Sequence, residues 1–258
     1  MRVNPYQVEV VSPPELTAAQ LLDMQRLSVE SLAADFADAP VTGVEDYEAA
    51  TRSLRADLNT GTKPGGLLYS GARQRFEGQA TALVIDNEDN TLVASLTFAD
   101  NVSSNLPGLA GSAEMAAKLR MPDMPLEGAQ RFIKSRYRYL GQMSVSGRLR
   151  QELAEADDTD EASILDALVA RAARDALPQQ RASAFSRRQE GLWRRALNNA
   201  GLEAVGIVRD DDQPFGEGGP RTTLEWWQAD RSGDIAAKIG AMRNGEVMLA
   251  AAEVELKS

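Results

Sequence analysis

Apolar and polar positions alternate along residues 136–145, and this pattern predicts a strand with two different faces. Its apolar positions are Tyr137, Tyr139, Met143 and Val145. A different spacing follows, in which an apolar stripe from Ile164 to Ala176 predicts one face of an amphipathic helix that Pro178 ends. Asp158 and Glu161 have the spacing of a capping box, so we expect the helix to begin close after them.

The same two spacings continue to residue 228. Residues 181–185 predict a short strand, and a second apolar stripe predicts a helix that Gly201 closes as its C-cap. Residues 203–209 and 222–228 predict paired strands joined by a loop rich in Asp and Gly. A strand, a crossover helix and a neighbouring strand favour a parallel pair, which needs cover on both faces.

Before this unit, the pattern predicts a short strand, two helices and a hairpin. The strand covers residues 8–11, one helix follows Thr17, and the second covers about residues 44–58. The hairpin consists of two β-rich runs, residues 79–86 and 91–100, which are separated by turn-forming residues. These elements place a meander of strands ahead of the strand over residues 136–145.

Two further segments are less regular. Residues 101–130 contain several prolines and glycines and predict a long loop, which is either functional or a solvated insertion. After residue 234, the chain predicts a short helix and then, over residues 246–256, a helix or an edge strand.

The composition excludes several classes of chemistry. The chain has 258 residues, of which 43% are hydrophobic, so we expect one large domain or one domain with a small appendage. It has no cysteine and no histidine. This excludes disulfides, thiol nucleophiles, Ser-His and Cys-His catalytic arrangements and the commonest ligand of transition metals. Acid–base chemistry would therefore use carboxylates, Tyr, Lys, backbone, water or a substrate group.

The charge and hydropathy patterns limit the partners. The net charge of −10 predicts no broad attraction to nucleic acid or to an anionic membrane. No stretch approaches the roughly 20 apolar residues of a membrane span, and the first residues lack the apolar core of a secretory signal. We therefore expect a cytoplasmic protein.

Two segments of opposite charge adjoin each other after the strand over residues 136–145. Residues 131–150 contain six basic residues and no acidic one, whereas residues 151–161 are strongly acidic. Arg148 and Arg150 either clamp phosphates or pair with the acidic segment, and the second interpretation is favoured because adjacent charge blocks neutralise each other. Residues 210–212 are three aspartates that bind a cation or, the favoured alternative, form a solvated turn. The sequence identifies no metal ligand and no catalytic residue.

This order of elements resembles the GNAT superfamily of acyl-CoA-dependent N-acyltransferases, and the resemblance covers about residues 6–228. Its most specific local match is GLWRRALNNAGLEAVG, residues 191–206, which is similar to the family's amphipathic helix ending in Gly plus an apolar residue. The resemblance implies an α/β fold with a central mixed sheet of about six to seven strands flanked by helices. We expect a GNAT-like domain over residues 1–232, with an insertion at about 101–130, and a C-terminal extension over residues 233–258.

The resemblance also implies a site. The strand over residues 140–145 is expected to splay from the strand over residues 182–185, and acyl-CoA inserts its pantetheine into the gap. The backbone of Met143, Ser144 and Val145 then holds the pantetheine, and Arg148 and Arg150 lie near the phosphates. The resemblance thus implies that these five residues bind acetyl-CoA or another acyl-CoA.

The family binds the pyrophosphate on a loop of the pattern Q/R-x-x-G-x-G/A at the start of the following helix, where free N–H groups and the helix dipole attract an anion. In this chain the segment between Val145 and Ile164 is acidic and lacks those glycines, so it is a degenerate form of the loop. The family often has a Tyr as general acid four residues before the Gly of the last helix, and Leu197 stands at that position.

Two functions follow from the resemblance. The first is an N-acyltransferase that moves an acyl group, acetyl in the first instance, from acyl-CoA to an amine of a small molecule or a protein. The second is a catalytically silent GNAT-fold protein that serves as a binding or structural subunit in a homo-oligomer or a larger assembly.

Overall fold

A computed structural model describes residues 5–12, 15–35, 80–100, 137–156, 160–174, 181–209, 223–229 and 232–251. The predicted helix over residues 44–58, the predicted loop over residues 101–130 and the aspartates 210–212 lie outside these ranges.

The described part of the chain contains seven strands and six helices. In chain order they are β1 (Tyr6–Val11), α1 (Ala18–Asp35), β2 (Ala80–Asp86), β3 (Leu92–Asp100), β4 (Tyr137–Val145), α2 (Gly147–Glu155), α3 (Ile164–Arg174), β5 (Arg181–Arg187), α4 (Gly191–Asn199), β6 (Glu203–Arg209), β7 (Leu224–Ala229), α5 (Ser232–Ala241) and α6 (Gly245–Ala251).

The strands form one mixed sheet in the order β1-β2-β3-β4-β5-β7-β6. Neighbouring strands are antiparallel except β4 and β5, which are parallel and are connected through α3. The predicted α/β fold with a GNAT-like mixed sheet is therefore confirmed. The tail is helical over Gly245–Ala251, so the helix alternative is confirmed as far as Ala251, and residues 252–256 lie outside the described ranges.

Helices cover both faces of the sheet. Alternate residues of β2 point to different clusters, since Ala82 and Val84 pack in the cluster that includes α3 and Leu83 packs in the cluster that includes α1. α3 is buried along its whole length from Ile164 to Ala173. Its outer side is covered by α5, whose Ile235 and Ile239 are fully buried in the same cluster as α3. The helix therefore lies between the sheet and the C-terminal helices.

α2 was missed in the sequence because it is polar almost throughout. Leu149 is its one buried residue, so there is no apolar stripe to reveal it. The helix begins directly after β4, where the Ser146 side chain caps it by accepting a hydrogen bond from the Leu149 N–H. A Ser followed by Gly at the end of a strand was the local signal for this start.

A β-bulge interrupts β4. Leu96 of β3 lies opposite Met143, and Phe98 lies opposite Leu140, so Thr97 faces both Gly141 and Gln142. The extra residue reverses which side chains face α3. Before the bulge, Leu140 joins the α3 cluster, and after the bulge Met143 and Val145 join it.

The single alternating face predicted for β4 is therefore wrong. Tyr139 was placed on the same face as Met143, but its ring packs against Phe185 at 5.7 Å between centroids, whereas Arg138 points to α3 and donates to the Ala172 carbonyl at 2.8 Å. Apolar and polar residues alternate regularly in the sequence through the bulge. The pattern therefore gives no sign of the inserted residue that exchanges the two faces.

We predict that Gly141→Ala lowers the free energy of unfolding by about 1–3 kcal/mol, the usual cost of forcing an atom into packed space. A Cβ at Gly141 would lie 2.6 Å from the Thr97 carbonyl oxygen, so the two strands must move apart. Urea unfolding measures the change. The matched control is Gly147→Ala at the start of α2, where a Cβ meets nothing within 4 Å and stability should be unchanged or raised by up to about 0.5 kcal/mol. Equal stability of the two variants would contradict the close approach at the bulge.

Candidate functional site

β4 and β5 are paired along only half of their length. The parallel pairing runs from Tyr137 opposite Arg181 to Leu140 opposite Ala184 and ends there. β4 continues to Val145 with β3 on one side, and no other described strand lies on its β5 side. The two strands part at the bulge, as the resemblance implies. Within the described residues, the backbone of Gly141–Val145 thus has no strand partner on this side.

Three side chains of this strip, Gly141–Val145, are already engaged. Met143 and Val145 are buried against α3, and the Ser144 hydroxyl lies 3.1 Å from the Ser28 hydroxyl of α1. Met143, Ser144 and Val145 therefore offer backbone toward β5. The Val145 carbonyl at the end of the strip accepts a long hydrogen bond, 3.4 Å, from Nε of Arg150.

The end of β5 accepts hydrogen bonds from side chains of α4 and β7. The Phe185 carbonyl accepts a hydrogen bond of 2.8 Å from the indole N–H of Trp193 in α4, and the Ser186 hydroxyl accepts one of 2.8 Å from Trp227. Leu197, at the position where the family often has a Tyr, is fully buried in the core. Along this edge α4 supplies packing and a hydrogen-bond donor.

Two buried ion pairs lie where β4 and β5 are apart. Arg150 binds the Asp35 carboxylate at 2.8 Å and the Ser31 hydroxyl at 2.7 Å, which ties α2 to the end of α1. Arg187, the last residue of β5, binds Glu190 at 2.8 Å through its guanidinium, and its backbone N–H donates to the same carboxylate at 2.6 Å. Each pair joins the end of one element to the start or end of another.

The two carboxylates are strongly desolvated. Burial raises the pKa of Asp35, and the hydrogen bond from Arg150 opposes that rise. Burial likewise raises the pKa of Glu190, while Arg187 lowers it and the charge of Asp35 raises it further. The two ion pairs are thus close enough to influence each other. Perturbed carboxylates of this kind are typical of functional sites, although structural ion pairs produce them as well.

Arg148 points away from this cluster. It binds Asp86 and Asp89 of the turn between β2 and β3, the latter at 3.0 Å, and lies 3.9 Å from Glu152. The favoured prediction, that both arginines pair with the acidic segment, is wrong for Arg150, and it holds for Arg148 only through Glu152 at 3.9 Å. Asp35, Asp86 and Asp89 are far away in sequence, so no local signal could have identified them.

The resemblance implies a pyrophosphate loop between Val145 and Ile164, and α3 begins at the end of that segment. Here the helix is capped by its own side chains: the Ser163 N–H and hydroxyl donate to the Asp166 carboxylate at 2.7 and 2.9 Å, and the Asp166 N–H donates back to the Ser163 hydroxyl at 3.3 Å. Asp166 is 1% exposed. The capping pair is therefore Ser163 and Asp166, a spacing visible in the sequence, and the Asp158 of the predicted pair lies outside the described residues.

The segment before Ser163 is bound to the turn between α5 and α6. The Arg243 N–H donates to the Asp160 carbonyl and the Arg243 carbonyl accepts from the Ala162 N–H, both at 3.2 Å. The Glu161 carboxylate binds the Arg243 guanidinium at 2.9 Å and the Asn244 side-chain amide at 2.9 Å. Residues 160–162 are thus held against the turn between the two C-terminal helices, α5 and α6.

The start of α3 does not fit a pyrophosphate. Asp166 and Ser163 use the N–H groups and the hydroxyl that an anion would need, and the carboxylate already occupies the positive end of the helix dipole. Asp160 and Glu161 add negative charge immediately before it. A phosphate placed here would have to displace the capping side chains, and the neighbouring carboxylates would repel it.

Within the described residues, no three or more carboxylate, His or Cys side chains form a group that could hold a metal ion. No helix in the same ranges is both long enough and apolar enough to cross a membrane.

Comparison with solved structures gives acetyltransferases of the GNAT family. One from Bacillus cereus ATCC 10987 is 10% identical, covers 87% of this chain and 97% of its own, and has a TM-score of 0.41. A GCN5-related N-acetyltransferase from Kribbella flavida is 13% identical, covers 86% and 97%, and has a TM-score of 0.41. RimL, a ribosomal L7/L12 α-N-protein acetyltransferase in complex with coenzyme A, is 10% identical, covers 88% and 96%, and has a TM-score of 0.42.

No protein-family model matches the chain, and no curated protein matches its sequence. The fold of this chain is described by its own strand order and its parallel β4–β5 pair.

We predict that the free energy of unfolding depends less on pH in Asp166→Asn than in the wild type, which loses stability as the pH rises. Burial raises the pKa of Asp166 above its ordinary 3.8, against opposing hydrogen bonds from Ser163 and Asn199. Between the unfolded and the folded pKa, the folded state binds more protons than the unfolded state, so stability falls as pH rises through that window. The variant carries no proton to lose. Urea unfolding of both proteins from about pH 3.5 upward measures the two slopes, and identical slopes would contradict the raised pKa.

Proposed function

We propose that this chain is an N-acyltransferase that takes an acyl group, acetyl in the simplest case, from a thioester such as acetyl-CoA and transfers it to an amine. The observation that carries the proposal is the parting of β4 from β5 at Leu140 and Ala184, after which no described strand lies on the β5 side of Gly141–Val145. Such an edge accepts an extended ligand that carries amides.

In this proposal, the pantetheine arm of the donor lies along β4 as an added strand would. Its amide groups bond to the backbone of Met143, Ser144 and Val145, because the side chains of these residues are turned to α3 and α1. The thioester then lies near the bulge, between β4 and the end of β5. The acceptor amine, of a small molecule or a protein, approaches from the end of α1.

Arg148 and Arg150 have a positioning role here. Arg150 joins Asp35, Ser31 and the Val145 carbonyl, so it orders the end of β4 against α1. Arg148 ties the start of α2 to the turn between β2 and β3. Because both guanidiniums already bind carboxylates, we propose that they hold the donor-binding edge of β4 in place.

The reaction is a direct transfer. The amine nitrogen attacks the thioester carbon, the new C–N bond forms, and the C–S bond breaks with its electron pair leaving on sulfur. The amine nitrogen gives up a proton, and the thiolate takes one from solvent. Glu190 is our candidate for the proton acceptor, directly or through a water, because it is a buried carboxylate with a raised pKa at the end of β5.

The second candidate function is a silent GNAT-fold binding or structural subunit. A specific observation favours it: the start of α3 is closed by Asp166 and by the Glu161–Arg243 pair, so the family's phosphate site is not offered. A homo-oligomer or a larger assembly would then use the surface of the fold in place of the gap.

We predict that Glu190→Gln lowers kcat/KM for acyl transfer by about 10²-fold, the usual contribution of a general base. The limb of the pH profile that reports an essential base should disappear in the same variant. Thiol release and mass spectrometry of the acylated amine, with a panel of small amines and peptides, measure the rate. The matched control is Glu155→Gln, which removes an exposed carboxylate from α2 and should act as wild type. Thermal unfolding checks that both variants are folded.

Calorimetry separates the two candidate functions. Saturable binding of acetyl-CoA or a longer acyl-CoA, followed by amine acylation, supports the transferase. If no thioester binds at millimolar concentration and no amine is acylated, the silent subunit is the correct account.

A further inference from the structure

We infer that the donor is recognised through its pantetheine arm and not through its nucleotide, so that a thioester on a bare pantetheine arm serves about as well as the corresponding acyl-CoA. This rests on the proposed acyl transfer and specifies its donor class. Three groups of contacts along the path of a bound donor carry the inference.

The first is the cap of α3. A helix start binds phosphate when its N–H groups are free and close approach is unhindered. Here Ser163 and Asp166 bond to each other through three hydrogen bonds of 2.7 to 3.3 Å, and the Asp166 side chain also accepts from Asn199 at 3.2 Å. The carboxylate thus accepts three hydrogen bonds in a buried position, two from Ser163 and one from Asn199, and it acts there as a built-in anion.

The second is the closure by the C-terminal helices. Arg243 bonds through its backbone to both Asp160 and Ala162, and Glu161 binds the Arg243 and Asn244 side chains at 2.9 Å each. This turn is anchored, because α5 just before it carries the fully buried Ile235 and Ile239. The closure is therefore part of the folded core, and we expect that a nucleotide does not break these contacts.

The third is the charge at the start of α2, which the donor would reach first on leaving β4. Arg148, with its side chain 45% exposed, is shared among Asp86, Asp89 and Glu152. Three carboxylates around one guanidinium leave this place negative. With the chain's net charge of −10, the approach of several phosphates gains nothing from long-range attraction.

These contacts predict the size of the preference. An enzyme that clamps phosphates with even two charge-assisted hydrogen bonds prefers acyl-CoA over the bare pantetheine thioester by a factor of about 10² or more. Here we expect the two donors to differ by less than about threefold, because the arm binds the β4 edge and the phosphates remain in solvent.

The test compares kcat/KM for acetyl-CoA, S-acetyl-4′-phosphopantetheine and S-acetyl-pantetheine with one amine acceptor. Similar values for all three, with little dependence on salt, are the expected result. A preference for acetyl-CoA above about 30-fold that weakens with salt would overturn the inference and leave the transferase intact. Transfer from none of the three would instead reject the proposed function, so the two failures are distinguishable.

A pair of variants tests the closure itself. Glu161→Gln removes a carboxylate and weakens the hold on Arg243, so the ratio of kcat/KM for acetyl-CoA to that for S-acetyl-pantetheine should rise by about three- to tenfold. Glu155→Gln removes a carboxylate from the exposed side of α2 and should leave the ratio unchanged. Each ratio is measured within one preparation, so partial unfolding does not alter it. An unchanged ratio in Glu161→Gln would overturn the role given to the closure.

Discussion

The burial of α3 on every side is the constraint on which the rest of the structure depends. A crossover between parallel strands needs a helix on the sheet, and here α5 covers that helix from outside as well. The free groups at both helix ends must then find partners inside the protein. Asp166 supplies one for the N-terminal end, and Arg138, buried in β4, donates to the Ala172 carbonyl at 2.8 Å near the C-terminal end. A carboxylate at the start and a guanidinium at the end also match the helix dipole.

This arrangement differs from that of a helix start that binds phosphate. A helix start that binds phosphate keeps its N–H groups free, and it gains stability only when the ligand is present. A helix start closed by Ser163 and Asp166 is stable without any ligand. The chain has taken the second arrangement and reinforced it with the Glu161–Arg243 pair. The stability of α3 and the recognition of a nucleotide therefore compete for the same few N–H groups. In this chain the Ser163–Asp166 cap uses them.

Local pattern was enough to predict β4, α3, β5, α4 and the β6–β7 pair, because each has a regular apolar spacing in consecutive residues. The sequence could not predict α2, since one buried leucine makes no stripe. Nor could it predict the site's ion pairs. Arg150 meets Asp35 across more than a hundred residues, and only the packing of α2 against α1 brings them together. The Ser163–Asp166 cap was visible as a spacing, but two similar spacings compete in that acidic segment and only the packing of α3 selects one.

The gap between β4 and β5 has its origin in a single crowded position. Thr97 approaches Gly141 so closely that no Cβ fits, and the residue inserted there turns the end of β4 and shifts its faces by one. The shift sends Met143 and Val145 to the α3 side, where they complete the core, and Ser144 to the α1 side. Had β4 kept its regular alternation, Ser144 would have faced α3 and the two apolar residues would have faced α1. The same bulge therefore sets the packing of β4 against α3, and it lies where the described pairing of β4 with β5 ends.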